Sequence, residues 1–261
     1  MSPPRRPTPP RRDPPVQPPT LAVVLDTETS GLPAHRPDCP VRAVSIGAAG
    51  YVWAPGEGWT PVGTFTRVMR PPVFPSAAVW DRAEEVHGLS RALVEKAAPA
   101  RDVWTLFAET LGYWLRVASG RAAGQPGHAA HAAPPVGYLA WNADFDWRML
   151  RRWAGDCGGD PSALAFPDVR LSPGDLGPGA GPVVAPHGCL MEAWKAHPAN
   201  NGAVVKAGSG SLDKARQALG LVAREGHHDA GQDAVFAGDV LQAMVAWRAG
   251  SVAAAPEDVQ P

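Results

Sequence analysis

The stretch LAVVLDTETSGLP at residues 21–33 decides the fold and much of the chemistry of this chain. Its apolar first half, residues 21–25, predicts a buried strand, and residues 29–33 predict a turn. Because side chains two positions apart on a strand share one face, we expect Asp26 and Glu28 to point the same way at the strand's exit. Two adjacent carboxylates repel each other and need a cation, and such oxygen ligands suit Mg²⁺ or Mn²⁺ better than zinc. A solvated strand end is nevertheless the commoner explanation of an isolated D-x-E.

A second acidic motif stands at WNADFDWRML, residues 141–150. The apolar run before it predicts a strand at 136–142, and the spacing of apolar residues after it predicts an amphipathic helix at 144–155. Asp146 falls in the first turn of that helix. An acid there, like Asp144 as a helix cap, is also explained by favourable interaction with the helix dipole.

A third motif, HDAGQDA at residues 228–234, leads into a long helical pattern at 231–249. His228 lies in the entering loop and Asp233 early on the helix. The carboxylate can reach a metal, and an imidazole with an ordinary pKa near 6.5 can take a proton from water at neutral pH. His227 and Asp229 fit a polar turn with a helix cap.

Together and in this order, the three motifs resemble those of the DEDDh exonucleases, the family of the proofreading epsilon subunit of DNA polymerase III, ribonuclease T and oligoribonuclease. The second motif is similar to the family's H-N-A-x-F-D and the third to H-x-A-x-x-D-A. EVHGLS at residues 85–90 and SLDKARQALGL at 211–221 also look like family segments. The resemblance spans roughly residues 20–249.

The resemblance implies an α/β, ribonuclease H-like fold, with a mixed five-stranded sheet flanked by helices in which the first and fourth strands are neighbours. It implies two-metal-ion hydrolysis of phosphodiester bonds at 3′ ends, with two divalent cations, Mg²⁺ or Mn²⁺, as cofactors. The general base would be His228. The implied metal ligands are Asp26, Glu28, Asp146 and Asp233. The implied contacts to the terminal nucleotide are Thr29, Leu32, His87 and Phe145, for which ordinary packing is the alternative explanation.

The sequence departs from the family pattern in three places. Trp141 stands where the family often has histidine, which changes the lining of the pocket. Residues 119–135 form a Gly, Ala and Pro-rich insertion that predicts a flexible surface loop. Gly188, Cys189 and Leu190 stand where the Asp and Thr of the family's usual D-T-M-E are expected.

Periodicity along the rest of the chain predicts a strand-rich first half and a helical second half. The predicted strands are 21–28, 43–53, 62–70 and 136–142, and the predicted helices are 76–87, 102–117, 144–155, 189–197, 211–219 and 231–249. The ten tryptophans stand mostly at helical spacing beside Leu and Val, which predicts core positions rather than a stacking surface.

Composition predicts one exonuclease domain at 21–249, with disordered segments at 1–20 and 250–261. The first 20 residues carry nine prolines and four arginines against one aspartate, too polar a mixture for a packed core. Three cysteines without C-x-x-C spacing argue against a zinc site and against disulfides, so we expect a cytoplasmic protein. The sequence contains no run of 18 apolar residues, so we predict no membrane helix. A net charge of −1 argues against tight binding of long nucleic acid. We expect terminus-focused binding, preferably to single strands, with a DNA polymerase or other tethering protein as a candidate partner.

Two rival functions remain open from the sequence. A nucleic-acid-binding or scaffold protein with an inactive nuclease fold is expected to have lost at least one of the five site residues, and all five are present. A nucleotide phosphohydrolase is expected to show a Gly-rich phosphate loop beside the acids, and none is apparent. DNA and RNA substrates are not distinguished.

Overall fold

A computed structural model of the chain describes residues 20–31, 41–54, 58–122, 136–159, 169–170, 183–200, 211–222 and 224–247. Almost all of the predicted arm, the predicted tail and Leu32 lie outside these residues. None of the helices in the described ranges has the length and apolar character needed to cross a membrane.

The main sheet has five strands, as predicted, and mixes parallel and antiparallel pairing. They are β1 (Leu21–Thr29), β2 (Ala43–Ala54), β3 (Gly58–Arg70), β4 (Ala98–Pro99) and β5 (Val136–Ala140), in the order β4-β3-β2-β1-β5. The first three form an antiparallel meander, and β5 runs parallel to β1. The predicted pairing of the first and fourth long strands is therefore confirmed.

Seven helices and a small second sheet complete the described structure. The helices are α1 (Ala77–His87), α2 (Arg91–Lys96), α3 (Ala100–Ala122), α4 (Ala143–Asp156), α5 (Leu190–Ala196), α6 (Leu212–Ala218) and α7 (Ala230–Ala246). Strands β6 (Val169–Arg170) and β7 (Val184–Ala185) pair with each other, and 3₁₀ turns cover Pro186–Gly188 and Pro198–Asn200.

Both faces of β1 are buried, which explains its unbroken apolar sequence. Leu21, Val23 and Leu25 belong to a core cluster shared with α3 and α4. Ala22 and Val24 belong to a second cluster shared with α5, α6 and α7. Helices on both sides of the sheet thus fix β1 at the centre of the molecule, and its exit becomes a rigid platform for the acidic residues.

The predicted insertion at 119–135 begins too early, because α3 continues to Ala122. The buried face of the helix extends to Ala118, and the Ser119 hydroxyl donates to the Leu115 carbonyl at 2.8 Å. A single glycine, Gly120, costs a helix only about 1 kcal/mol, which this packing offsets. Residues 123–135 lie outside the described part of the chain. Helix α2 and strand β4 were not predicted, since both are too short to show a period.

Candidate active site

The carboxylates of Asp26 and Glu28 stand at the end of β1, on the same side of the strand, and both line one cavity of about 470 Å³. The pairing of β1 with β2 shifts register between Glu28 and Thr29, where the strand leaves the sheet. Both side chains are therefore held by the best-buried strand of the fold, as the alternation of the sequence predicted.

Asp146 reaches the same cavity from the first turn of α4, which follows β5 directly. It is buried, and the Thr27 hydroxyl donates a hydrogen bond to its Oδ1 at 2.8 Å. Asn142 caps α4 without a side-chain hydrogen bond, and Asp144 instead pairs with Arg148. The cap predicted as an alternative role for Asp144 is therefore absent, and Asp146 is oriented by β1.

His228 and Asp233 enter from the start of α7. Asp229 caps this helix, as the sequence predicted. Its side chain accepts a hydrogen bond from the Gln232 backbone N–H at 2.8 Å. The His228 backbone N–H donates to the carbonyl of Val86 in α1. His228 Nδ1 lies 3.2 Å from Asp233 Oδ2, and ligand atoms of Glu28, His228 and Asp233 all lie within 4.8 Å of one another.

Glycines allow α7 to approach the sheet closely enough for this convergence. Gly47 lies opposite Asp26 in the β1–β2 pair, and a Cβ built on it would lie 1.8 Å from the Ala230 carbonyl oxygen. A Cβ on Gly231 would lie 1.9 Å from the Thr66 hydroxyl. The start of α7 therefore packs directly on the backbone of β2 and on the Thr66 side chain of β3, an approach that only glycine permits.

Three of the four residues predicted to contact the substrate line the same cavity: Thr29, His87 and Phe145. The fourth, Leu32, lies outside the described residues. His87 is buried, and its Nδ1 accepts a hydrogen bond from the Leu89 N–H at 3.0 Å, which leaves Nε2 as the protonated nitrogen of a neutral ring. Trp141, where the family often has histidine, also lines this cavity.

Burial raises the pKa values of all four carboxyls, and the charges of neighbouring carboxylates raise them further. Burial, followed by the charges of Asp146, Glu28 and Asp233, raises the pKa of Asp26 well above its ordinary value. Burial likewise raises the pKa of Glu28 to about 8, that of Asp146 to about 7 and that of Asp233 to about 6. The folded protein thus holds four acids where ionisation is costly unless positive charge is supplied.

The site fits divalent cations. Buried oxygens of two carboxylates, Glu28 Oε1 and Asp233 Oδ1, have no hydrogen-bond partner among the described residues. A buried carboxylate oxygen without a hydrogen bond is costly and is what a hard cation would bind. Within the described part of the chain, Asp233 Oδ1 has only the charge of Arg224 beside it, at 2.9 Å. Among the described residues, the donor set is carboxylate with one imidazole, which suits Mg²⁺ or Mn²⁺.

Arg224 is a member of the site that sequence reasoning missed. Its side chain is 7% exposed, and Nη2 lies 2.9 Å from Asp233 Oδ1 without the angles of a hydrogen bond. Nε lies 3.4 Å from Asp213 Oδ1 at the start of α6. Burial lowers the pKa of His228, and the Arg224 charge lowers it further, so the imidazole is neutral at pH 7. Arg224 belongs to none of the motifs, and only the fold brings it to Asp233.

The fold is that of the ribonuclease H-like exonucleases, and solved structures of DEDDh exonucleases resemble it. A 3′-exonuclease solved for 3′-end-specific recognition of a histone mRNA stem-loop matches with a TM-score of 0.55 and 11% identity, over 87% of this chain and 64% of that one. The nuclease domain of 3′hExo, a DEDDh family member bound to rAMP, matches with a TM-score of 0.53 and 11% identity, over 88% and 96%.

Cell-death related nuclease 4 (CRN-4) matches with a TM-score of 0.53 and 15% identity, over 87% of this chain. The chain spans 64% of the length of the first and the last of these three proteins. No protein-family model and no curated protein sequence matches the chain. The resemblance predicted from the three motifs is thus confirmed by structural neighbours, which share the fold at low identity.

Proposed function

We propose that this chain is a metal-dependent 3′–5′ exonuclease that releases nucleoside monophosphates from the ends of DNA or RNA. One observation carries the proposal: acids and an imidazole from three distant motifs converge. Asp26, Glu28, Asp146 and His228 line one cavity. A ligand atom of Asp233 lies within 4.8 Å of those of Glu28 and His228. Burying four acids close together lowers the stability of the fold, so their presence indicates a function rather than a structural role.

Asp26, Glu28, Asp146 and Asp233 would hold two divalent cations, Mg²⁺ or Mn²⁺. When bound, such ions offset the negative charge of a phosphodiester and lower the pKa of a bound water. The chain's own contribution is geometric. The Thr27 hydroxyl orients the Asp146 carboxylate by its 2.8 Å hydrogen bond, and Arg224 Nη2 lies 2.9 Å from Asp233 Oδ1.

His228 would act as the general base. Its pKa lies below the ordinary value, so the ring is neutral and able to accept a proton at pH 7. Nδ1 faces Asp233 at 3.2 Å, and a proton on Nδ1 leaves Nε2 as the acceptor. The side chain is half exposed, which allows the proton to pass from Nε2 to solvent.

The terminal nucleotide would occupy the cavity beside the acids, where Thr29, His87 and Phe145 line the wall. The volume of about 470 Å³ lies in the range of small-molecule sites and suits one nucleotide better than a duplex end. Neighbours whose names record binding to a histone mRNA stem-loop and to rAMP support a 3′ nucleic-acid end as ligand. A cytoplasmic location and a tethering DNA polymerase stay predictions from the sequence.

The experiment is exonuclease digestion of 5′-labelled single-stranded DNA and RNA with Mg²⁺, Mn²⁺ or chelator. We expect a metal-dependent ladder that shortens from the 3′ end. Asp26→Asn should abolish it and His228→Ala should slow it by ~10²- to 10⁴-fold. Asp102→Asn, an exposed acid in the first turn of α3, is the matched control and should retain the wild-type rate.

The alternative is a nucleic-acid-binding or scaffold protein with an inactive nuclease fold. Intact substrate under every metal condition, with oligonucleotide binding retained, would favour it. Digestion that is equally fast in Asp26→Asn would instead assign the activity to a contaminant and refute the proposed site.

A further inference from the structure

A second cavity of about 590 Å³ opens on the other side of the first turn of α4. The two cavities have one lining residue in common, Asn142. Phe145 and Asp146 face the catalytic cavity, whereas Asp144 and Trp147 face the second one. A strand of nucleic acid whose 3′ nucleotide fills the first cavity must leave the acids on its 5′ side, and the second cavity begins at the same turn of α4, where both cavities share Asn142.

The lining of the second cavity suits a flat aromatic ligand. Trp147 is only partly buried, and the Arg151 guanidinium lies 5.8 Å from its ring centroid. Met191 and His187 also line this cavity. Aromatic rings and a thioether bind nucleobases by stacking, which is tolerant of sequence.

The backbone around His187 and Met191 is both strained and anchored. His187, with φ 49° and ψ 33°, is the one non-glycine residue with positive φ within the described ranges. Such a conformation costs of order 1 kcal/mol and persists where the surroundings enforce it. The Met191 N–H donates to the Trp141 carbonyl at 3.0 Å, and Cys189 bridges to Ala140 in β5. This segment is therefore fixed to the strand that leads to Asp146.

Among the described residues, the charges at the rim are nearly balanced, because two ion pairs stand beside one further cation, Arg151. Asp144 pairs with Arg148 at 2.8 Å, and Glu192 pairs with Lys195 at 2.6 Å. A phosphate gains little from such a rim, whereas the exocyclic amino groups of bases are donors that carboxylates accept. The cavity thus favours a base over a phosphate.

We propose that this second cavity binds an unpaired base immediately 5′ to the scissile phosphate, stacked on Trp147. The proposal rests on the proposed exonuclease function and extends it to the substrate class. A duplex end cannot place a base there without unpairing it, so the site selects single-stranded 3′ ends.

The test compares a substrate without an upstream base with one that has it. The first is the methyl ester of thymidine 5′-monophosphate, which has no ring on the leaving-group side of the scissile phosphate, and the second is a single-stranded pentanucleotide. Trp147→Ala should leave ester hydrolysis unchanged and lower kcat/KM on the pentanucleotide about 5- to 100-fold, which corresponds to the loss of one stacked base. Trp147→Phe keeps a stacking ring and should restore most of it. Tyr113→Ala, an exposed aromatic truncation on α3, should change neither.

Pentanucleotides with one abasic position then locate the base. At one position, removal of the base should lower kcat/KM of the wild-type enzyme as much as Trp147→Ala does. Removal of the same base should not lower kcat/KM of the Trp147→Ala protein any further. Equal losses of Trp147→Ala on both substrates, or additive losses at every abasic position, would overturn the proposal. Failure of the wild-type protein to hydrolyse the ester and the pentanucleotide alike would refute the proposed function itself, and the base site with it.

Discussion

Gly47→Ala should disable the candidate site without touching any of its chemical groups. Gly47 lies opposite Asp26 in the sheet, and the new Cβ would stand 1.8 Å from the carbonyl oxygen of Ala230. Cβ contacts shorter than 3.0 Å do not occur, so α7 and β2 must separate by about 1.2 Å. Both contacting groups are backbone, and neither can rotate away.

That displacement moves His228 and Asp233 away from Asp26 and Glu28. A misplacement of about 1 Å typically costs ~10²-fold in rate, and overpacking a core contact costs ~1–3 kcal/mol in stability. We therefore expect kcat on the thymidine ester to fall ~10²-fold. The melting temperature should fall by about 2–4 °C per kcal/mol lost.

The assay is ester hydrolysis with Mn²⁺ at a temperature where circular dichroism shows both proteins folded. Gly155→Ala is the matched control, because it lies in the helix that carries Asp146 and its new Cβ meets no heavy atom within 4 Å. The control should keep the wild-type rate. A Gly47→Ala protein that also keeps this rate would refute the view that close backbone contact positions the third motif.

Three further perturbations test the charges of the site. Thr27→Val removes the hydrogen bond to Asp146 and should destabilise the protein by ~1–3 kcal/mol in denaturant titration, with a rate profile shifted to higher pH. Without metal, the folded pKa values of Glu28 and Asp146, about 8 and 7, lie above their unfolded values near 4. The folded state therefore binds more protons than the unfolded state, and stability that is present at pH 4 should be lost as the pH rises to 8. Mn²⁺ should reverse this loss. A higher melting temperature in chelator at pH 8 than at pH 5 would contradict the prediction. Arg224→Met removes the cation from the buried Asp233 carboxylate, which then keeps only His228 beside it among the described residues, and should cost roughly 3–5 kcal/mol without metal. Mn²⁺ should restore more stability to this variant than to the wild-type protein, as measured by chemical unfolding.

The catalytic motifs could be predicted because their geometry is local. The alternation of side chains along a strand places Asp26 and Glu28 on one side of β1, and Asp146 lies in the first turn of a helix. A short stretch of sequence is therefore enough to predict the direction of each side chain. The long strands of the sheet could also be predicted, because each contains a clear apolar run. Short elements such as α2 and β4, and the extent of α3 beyond residue 117, depend on packing partners far away in the sequence, and periodicity does not show them.

Arg224 and Gly47 show why the remainder of the site needed the structure. Neither residue belongs to a recognisable motif. Gly47 contacts Ala230, which lies more than 180 positions further along the chain, and Arg224 contacts Asp233 in α7. Their effects oppose each other: the glycine contact lets α7 bring a fourth carboxylate to the acids of β1, and the arginine partly offsets the repulsion that this approach creates. Arg224 lowers the pKa of Asp26, Glu28 and Asp233, yet burial still holds all three above their ordinary values. One guanidinium is therefore too little charge for four carboxylates, and the deficit is what divalent cations would supply.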